Sequence, residues 1–253
     1  MVETIKCFSP VDGKLYASRP VASKKEIAAA FSAAHAAQEK WKRVSLKERA
    51  AFCSAAVDAM LAMRDEIVPE LAWQMGRPIR YGAGELRGFE ERARHMIGIA
   101  EGALANHVPA AKEGFTRFIS REPWGVVFTI APWNYPYLTA VNSVIPALMA
   151  GNAVVLKHAS HTLLVAERFQ KAFDKAGLPK GVFQHLVMNH ALATDVISGG
   201  LVNMVCFTGS VAGGRAMEQA AAGRFINVGL ELGGKDPAYV RHDANLAHAV
   251  ENL

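Results

Sequence analysis

The run from Ile130 to Ser160, IAPWNYPYLTAVNSVIPALMAGNAVVLKHAS, decides how this chain folds. The apolar stretch Gly125–Ile130 before it is short and rich in β-branched residues, which predicts a buried strand. Pro132 and Pro136 stop that strand and stiffen the loop between them, where Trp133 and Asn134 sit. A helix is expected from about Tyr137 to Ala150, closed by Gly151 in the left-handed conformation. A second buried strand, Ala153 to Leu156, then delivers Lys157 at its carboxyl end. Strand, loop, helix and strand make a β-α-β unit with polar groups at the strand ends, the edge at which open α/β sheets bind ligands.

Outward from this unit the pattern repeats. Towards the C-terminus, helices over about 162–175 and 191–197 and one beginning near Ala212 alternate with strands at Val182–Val187, Asn203–Phe207 and Phe225–Glu231. That alternation predicts a Rossmann-like α/β fold, a parallel sheet with helices on both faces. Towards the N-terminus, Asp12-Gly13 marks a turn between short strands. Ser23 with Glu26 and Ser45 with Glu48 are capping boxes that open two helices. Further helices are expected at Arg64–Met75, ended by Gly76 and Pro78, and from Gly84 to about Ala105. Asn106–Arg121 changes character: His107–Ala110 and Phe115–Ile119 read as two strands of a protruding hairpin.

Composition narrows the function classes. Of 253 residues, 51% are hydrophobic and 20% charged, as in a globular protein with a sizeable core. The net charge of +5 is spread among acids with no basic run, so nucleic acid is not the expected partner. No apolar run is long enough for a membrane span, and no secretory signal opens the chain, so a cytoplasmic protein is expected. Cys7, Cys53 and Cys206 have neither metal-ligand nor disulfide spacing, and no metal site is expected.

Three places carry chemistry. Gly209-Ser210-Val211-Ala212-Gly213-Gly214 follows a strand and opens a helix, where free N–H groups and the helix dipole can cradle a pyrophosphate; the spacing departs from G-x-G-x-x-G, and a structural turn reads equally well. Lys157 at a strand end can reach ribose hydroxyls or a 2′-phosphate. Glu231 ends an apolar strand beside Leu230 and Leu232, apolar neighbours that favour the neutral form of a carboxylate and suit a general base.

Ala131-Pro132-Trp133-Asn134-Tyr135-Pro136 resembles the signature loop of the NAD(P)-dependent aldehyde dehydrogenases, and Phe207-Thr208-Gly209-Ser210 and Leu230-Glu231-Leu232-Gly233-Gly234-Lys235 agree with that family in order and spacing. The resemblance covers nearly the whole chain. It implies a nucleotide-binding domain over 1–105 and 122–233, an oligomerisation hairpin at 106–121 that makes the protein a homo-oligomer, and the beginning of a catalytic domain at 234–253. It implies cofactor contacts at Ile130, Pro132, Trp133, Lys157, Ser160, Gly209, Ser210, Gly214, Glu231 and Leu232. Asn134 becomes the oxyanion donor and Glu231 the base that activates water. Ser160 stands where many NAD-preferring relatives carry a Glu, so NADP is expected to be accepted alongside NAD and favoured. Lys157-His158-Ala159 resembles a variant found in some semialdehyde dehydrogenases, which points to succinate semialdehyde. The family's nucleophile is a cysteine that follows the Glu, and no Cys follows Cys206 here. Cys206 itself lies in an expected buried strand, where thiols are inert. The expectation is therefore a truncated chain, inactive alone; a split enzyme, completed by a separate catalytic segment and active only on mixing, is a further option. The alternative is a non-catalytic nucleotide-binding or assembly module. Either way, exposed apolar surface favours association.

Overall fold

The computed structural model describes residues 3–253. Strands β1 (Thr4–Phe8) and β2 (Leu15–Pro20) pair antiparallel around a turn with Gly13 at φ 71. Four helices follow: α1 (Lys24–Trp41), α2 (Leu46–Leu61), α3 (Arg64–Met75) and α4 (Ile79–Leu104). Both capping boxes form, with Ser23 and Ser45 each accepting from the N–H three residues on. α4 begins five residues before the expected Gly84, because Pro78 caps it; Gly88 and Gly98 are absorbed within it.

The second half is β3 (Val126–Ile130), α5 (Pro136–Met149), β4 (Ala153–Lys157), a single 3-10 turn at Ser160–Thr162, α6 (Val165–Lys175), β5 (Phe183–His185), α7 (His190–Ser198), β6 (Met204–Gly209), α8 (Val211–Ala221), β7 (Asn227–Leu232) and α9 (Leu246–Asn252). β5, β4, β3, β6 and β7 lie side by side in that order, all parallel. The order reverses between β3 and β6, which is where such sheets open a ligand crevice.

Alternation along the strands splits the core in two. Val126, Phe128 and Ile130 meet α1, α7 and α8 through Phe31, Val196 and Met217. Val127, Val154 and Leu156 meet the opposite layer, α2 to α6 and the end of α1, through Trp41, Leu71, Tyr137, Leu148 and Phe169. β3 and β4 are buried along their whole length, as strands covered on both faces must be. α3 is tied to α6 by Arg168, which bonds Glu66 and Glu70.

The expected hairpin at residues 106–121 is present in outline, though its arms carry no regular strands. The chain doubles back, with His107 and Ile119 exchanging backbone bonds at 3.0 and 2.9 Å and a turn bridging Lys112 to Phe115, but no ladder connects them. Apart from half-buried Pro109 the segment is exposed, so nothing packs its alternating side chains into a sheet. Beyond β7, residues 233–245 are irregular, and the short α9 starts at Leu246 behind an Asn245 cap. No helix among the described residues is long and apolar enough to cross a membrane.

Candidate nucleotide site at the strand ends

The carboxyl ends of β3, β4, β6 and β7 open into a groove of about 840 Å³. Backbone bonds staple its floor: Ala131 N–H donates to Lys157 O at 3.0 Å, and Gly233 N–H to Gly209 O at 3.0 Å. One rim is the loop after β3, with Trp133, Asn134 and Tyr135 exposed. The other is the turn into α8.

At the α8 turn, Ser210 is the N-cap, and its Oγ accepts from Gly213 N–H at 3.1 Å. The N–H groups of Val211 and Ala212 keep no intrahelical partner and lie at the positive end of the helix. The glycines are set by close approach. A Cβ on Gly213 would meet the Phe207 ring at 2.5 Å, and one on Gly214 would meet Leu232 at 2.6 Å. Gly213 thus lets the backbone line the groove, while Gly214 lets α8 lie on β7.

The loop after β3 is shaped by side chains from elsewhere. The carboxylate of Glu85 on α4 is buried, and its Oε1 accepts from Tyr137 and Leu138 N–H at 3.0 and 3.1 Å, which caps α5 in place of a side chain of its own. Arg77 lies 3.1 Å from Glu85 Oε2, and its guanidinium also covers the Tyr135 ring at 4.4 Å. Burial raises the Glu85 pKa, against the two N–H bonds and Arg77 that pull it down. Tyr135 sits at φ 46, a left-handed conformation that a tyrosine adopts only when its surroundings impose it.

Lys157 is the last residue of β4 and is buried, with its end facing the groove. Burial alone pushes its pKa down, with no neighbouring charge compensating. A desolvated cation at the mouth of an open groove favours an anionic or hydroxyl-rich ligand. His158 beside it is buried too, and burial lowers its pKa to about 4.

Of the residues singled out from sequence, Ile130, Pro132, Trp133, Asn134, Lys157, Gly209, Ser210, Glu231 and Leu232 line this one groove. Ser160 opens the 3-10 turn and is exposed next to Ala159, which lines the groove. Gly214 is a packing glycine and leaves the lining to Gly213. Glu231 is exposed rather than wrapped in apolar neighbours. Leu230 and Leu232 point to the other face of an edge strand, since successive strand residues alternate. Sequence reasoning missed His190 and Thr194 of α7, which form the groove's far wall; a helix brought in by a crossover carries no local signal of what it faces.

A second cavity of about 200 Å³ lies on the α5 side, lined by Thr139, Asn142, Ser143, Cys206 and Thr208, and Glu231 borders both spaces. Cys206 is partly buried, and burial raises its thiol pKa to about 11; Cys53 is pushed up to about 12 and Cys7 is also raised. All three are thiols, not thiolates, near neutral pH.

A crevice at the sheet's reversal point, a glycine-shaped helix N-terminus and a desolvated lysine give an α/β fold whose groove residues fit a dinucleotide. Residues 1–253 match the aldehyde dehydrogenase family, and the chain belongs to it. It is 37% identical to 3,6-anhydro-alpha-L-galactose dehydrogenase of Streptomyces coelicolor over 253 residues, covering 98% of this chain and 50% of that protein. It is 30% identical to a probable NADP(+) succinate-semialdehyde dehydrogenase of Synechocystis sp. over 247 residues, covering 98% and 54%. The crystal structure of an NAD-dependent aldehyde dehydrogenase from Sinorhizobium meliloti superposes with a TM-score of 0.92 at 33% identity, covering 98% of this chain and 50% of that one. The chain spans about half the length of the curated relatives it matches.

Proposed function

We propose that this chain is the nucleotide-binding part of an enzyme that oxidises an aldehyde to a carboxylic acid with NADP+ or NAD+. The observation that carries the reading is the gathering of Asn134, Lys157, the α8 N-terminus and Glu231 around one groove. A bound nicotinamide ring supplies the acceptor for the aldehyde hydrogen. Lys157 and the N–H groups of Val211 and Ala212 hold the anionic part of the coenzyme. NADP is favoured, because the Lys157 cation has no acidic partner compensating it and Ser160 adds no negative charge nearby. Asn134 offers an amide N–H to charge developing on the substrate oxygen. Glu231, placed between the groove and the α5-side cavity, takes the proton of the attacking water.

The thiol nucleophile comes from a further segment, since Cys7, Cys53 and Cys206 are all held protonated by burial. The 253-residue polypeptide alone then forms no NAD(P)H from an aldehyde. Succinate semialdehyde is the proposed substrate, supported by Lys157-His158-Ala159 and by the Synechocystis relative. The domain division is 1–105 with 122–233 for the nucleotide, 106–121 for assembly into a cytoplasmic homo-oligomer, and 234–253 leading into the catalytic part. The buried thiols also favour a second reading, a non-catalytic nucleotide-binding module.

Calorimetric titration tests the coenzyme assignment. NADP+ should bind more tightly than NAD+, and Lys157→Met should abolish the difference. Equal affinities would remove the NADP preference; no heat with either coenzyme on a folded sample would overturn the reading.

A further inference from the structure

The His158 ring makes three polar contacts. Nδ1 faces the Ala159 N–H at 3.0 Å and the Thr162 hydroxyl at 2.9 Å, and Nε2 faces the Pro136 carbonyl at 3.2 Å. A backbone N–H can only donate and a carbonyl can only accept. These partners therefore fix the tautomer: Nδ1 accepts, and Nε2 carries the proton and donates to Pro136. The ring is buried, so all three contacts are shielded from water.

One side chain thus joins two separate pieces of the groove. Its Nδ1 side is seated on the 3-10 turn that follows β4, and its Nε2 side grips the first residue of α5, just after the Asn134 loop. A backbone tie between this loop and β4 is the bond from Ala131 N–H to Lys157 O, and the Trp133 ring also lies 6.5 Å from the His161 ring of the 3-10 turn. Between the two ties Trp133, Asn134 and Tyr135 are exposed, and Tyr135 is in a strained conformation. Without the His158 bond the loop would be hydrogen-bonded to the β4 side at one end only, with the exposed Trp133 ring beside His161 as its remaining contact there. The Glu85 bonds come from α4 and fix α5 to a different layer.

We propose that His158 is a positioning residue, which sets the Asn134 loop against the Lys157 floor of the groove through its Nε2–H bond to the Pro136 carbonyl. The imidazole spans the gap with a donor and an acceptor on opposite edges. Gln can place an N–H donor near the Nε2 position but lacks the Nδ1 acceptor. Asn can place an acceptor near Nδ1 but is too short to reach Pro136.

The crossed pair His158→Asn and His158→Gln tests this in the 253-residue chain, read by backbone amide exchange over residues 131–139 and by NADP+ titration. His158→Asn should speed loop exchange about tenfold and weaken NADP+ about three- to tenfold, the loss of one buried hydrogen bond, while His158→Gln stays within about twofold of the parent on both. A general structural role would lower the melting temperature of both variants without this split. Equal effects in the two variants, or unchanged loop exchange in His158→Asn, overturn the proposal. Should His158→Asn fail to fold, Thr162→Val removes one donor to Nδ1 and lets the ring turn: faster loop exchange supports the proposal and unchanged exchange defeats it. The nucleotide arm rests on the coenzyme reading above; if the parent chain binds no NADP+, that reading fails and the exchange arm alone decides the role of His158.

Discussion

The two rims of the groove reach a fixed shape by opposite means. The loop after β3 is held by buried polar side chains that reach in from other elements: Glu85 and Arg77 from the α4 side, and His158 from beyond β4. The turn into α8 draws on its own residues: Ser210 caps it locally, and missing side chains let Gly213 fit against Phe207 and Gly214 against Leu232. The first arrangement can present an amide-bearing loop towards solvent without letting it wander. The second brings backbone N–H groups close to a ligand, which any side chain would obstruct. A site that must orient one polar atom and also cradle an extended anion needs both.

The largest expected effect breaks the first rim. Glu85→Ala should cost about 3 kcal/mol in denaturant unfolding, because it leaves two N–H groups of α5 and the Arg77 cation without their buried partner. Glu85→Gln keeps an acceptor and should cost about 1 kcal/mol. Equal losses would show that the charge, and not the hydrogen bonds, holds the loop. Acid gives the next effect. His158 is held neutral, with a pKa lowered by burial to about 4, while the unfolded ring titrates near 6.5. Its folded-state pKa is depressed, so its stability is complete above about pH 6.5 and is lost as pH falls towards 4, roughly 3 kcal/mol over that window. Lys157 adds to that depression, His185 is shifted the same way, and the raised Glu85 carboxyl works in the opposite sense. A melt series across that range should therefore flatten in His158→Gln; an unchanged slope would remove His158 as the cause.

On the second rim, Gly214→Val should cost about 1–3 kcal/mol by pushing Leu232 and β7 away from α8. Thermal melts check this, and an unaltered melting temperature would mean that the contact relaxes freely. The smallest effect belongs to the 106–121 segment, where Phe115 and Phe118 are exposed. Phe115→Ser with Phe118→Ser should leave unfolding within about 0.5 kcal/mol yet reduce self-association in light scattering.

The contrast between the rims also explains what could be read in the sequence. The glycine rim was legible, because Gly209 to Gly214 is one contiguous run between a strand and a helix. So was the parallel sheet, since buried strands such as Val126–Ile130 and Ala153–Lys157 carry continuous apolar runs. The clamp on the other rim was not legible. Glu85 lies 52 residues from Tyr137, and nothing in the α4 sequence marks it as the cap of another helix. His158 was noticed only as part of a tripeptide, because its partner Pro136 is 22 residues away. Ser160 begins a 3-10 turn that its own sequence does not announce, and it is exposed there. The apolar setting given to Glu231 came from neighbours in sequence, whereas a strand sends its neighbours to the opposite face.

The most direct test of the central claim is a hydrogen-exchange footprint of NADP+ on this chain. Protection should concentrate at Ile130–Asn134, Lys157–Ala159 and Gly209–Gly213, the three segments that meet at the groove. Protection elsewhere, or none at saturating coenzyme on a folded sample, would contradict the account.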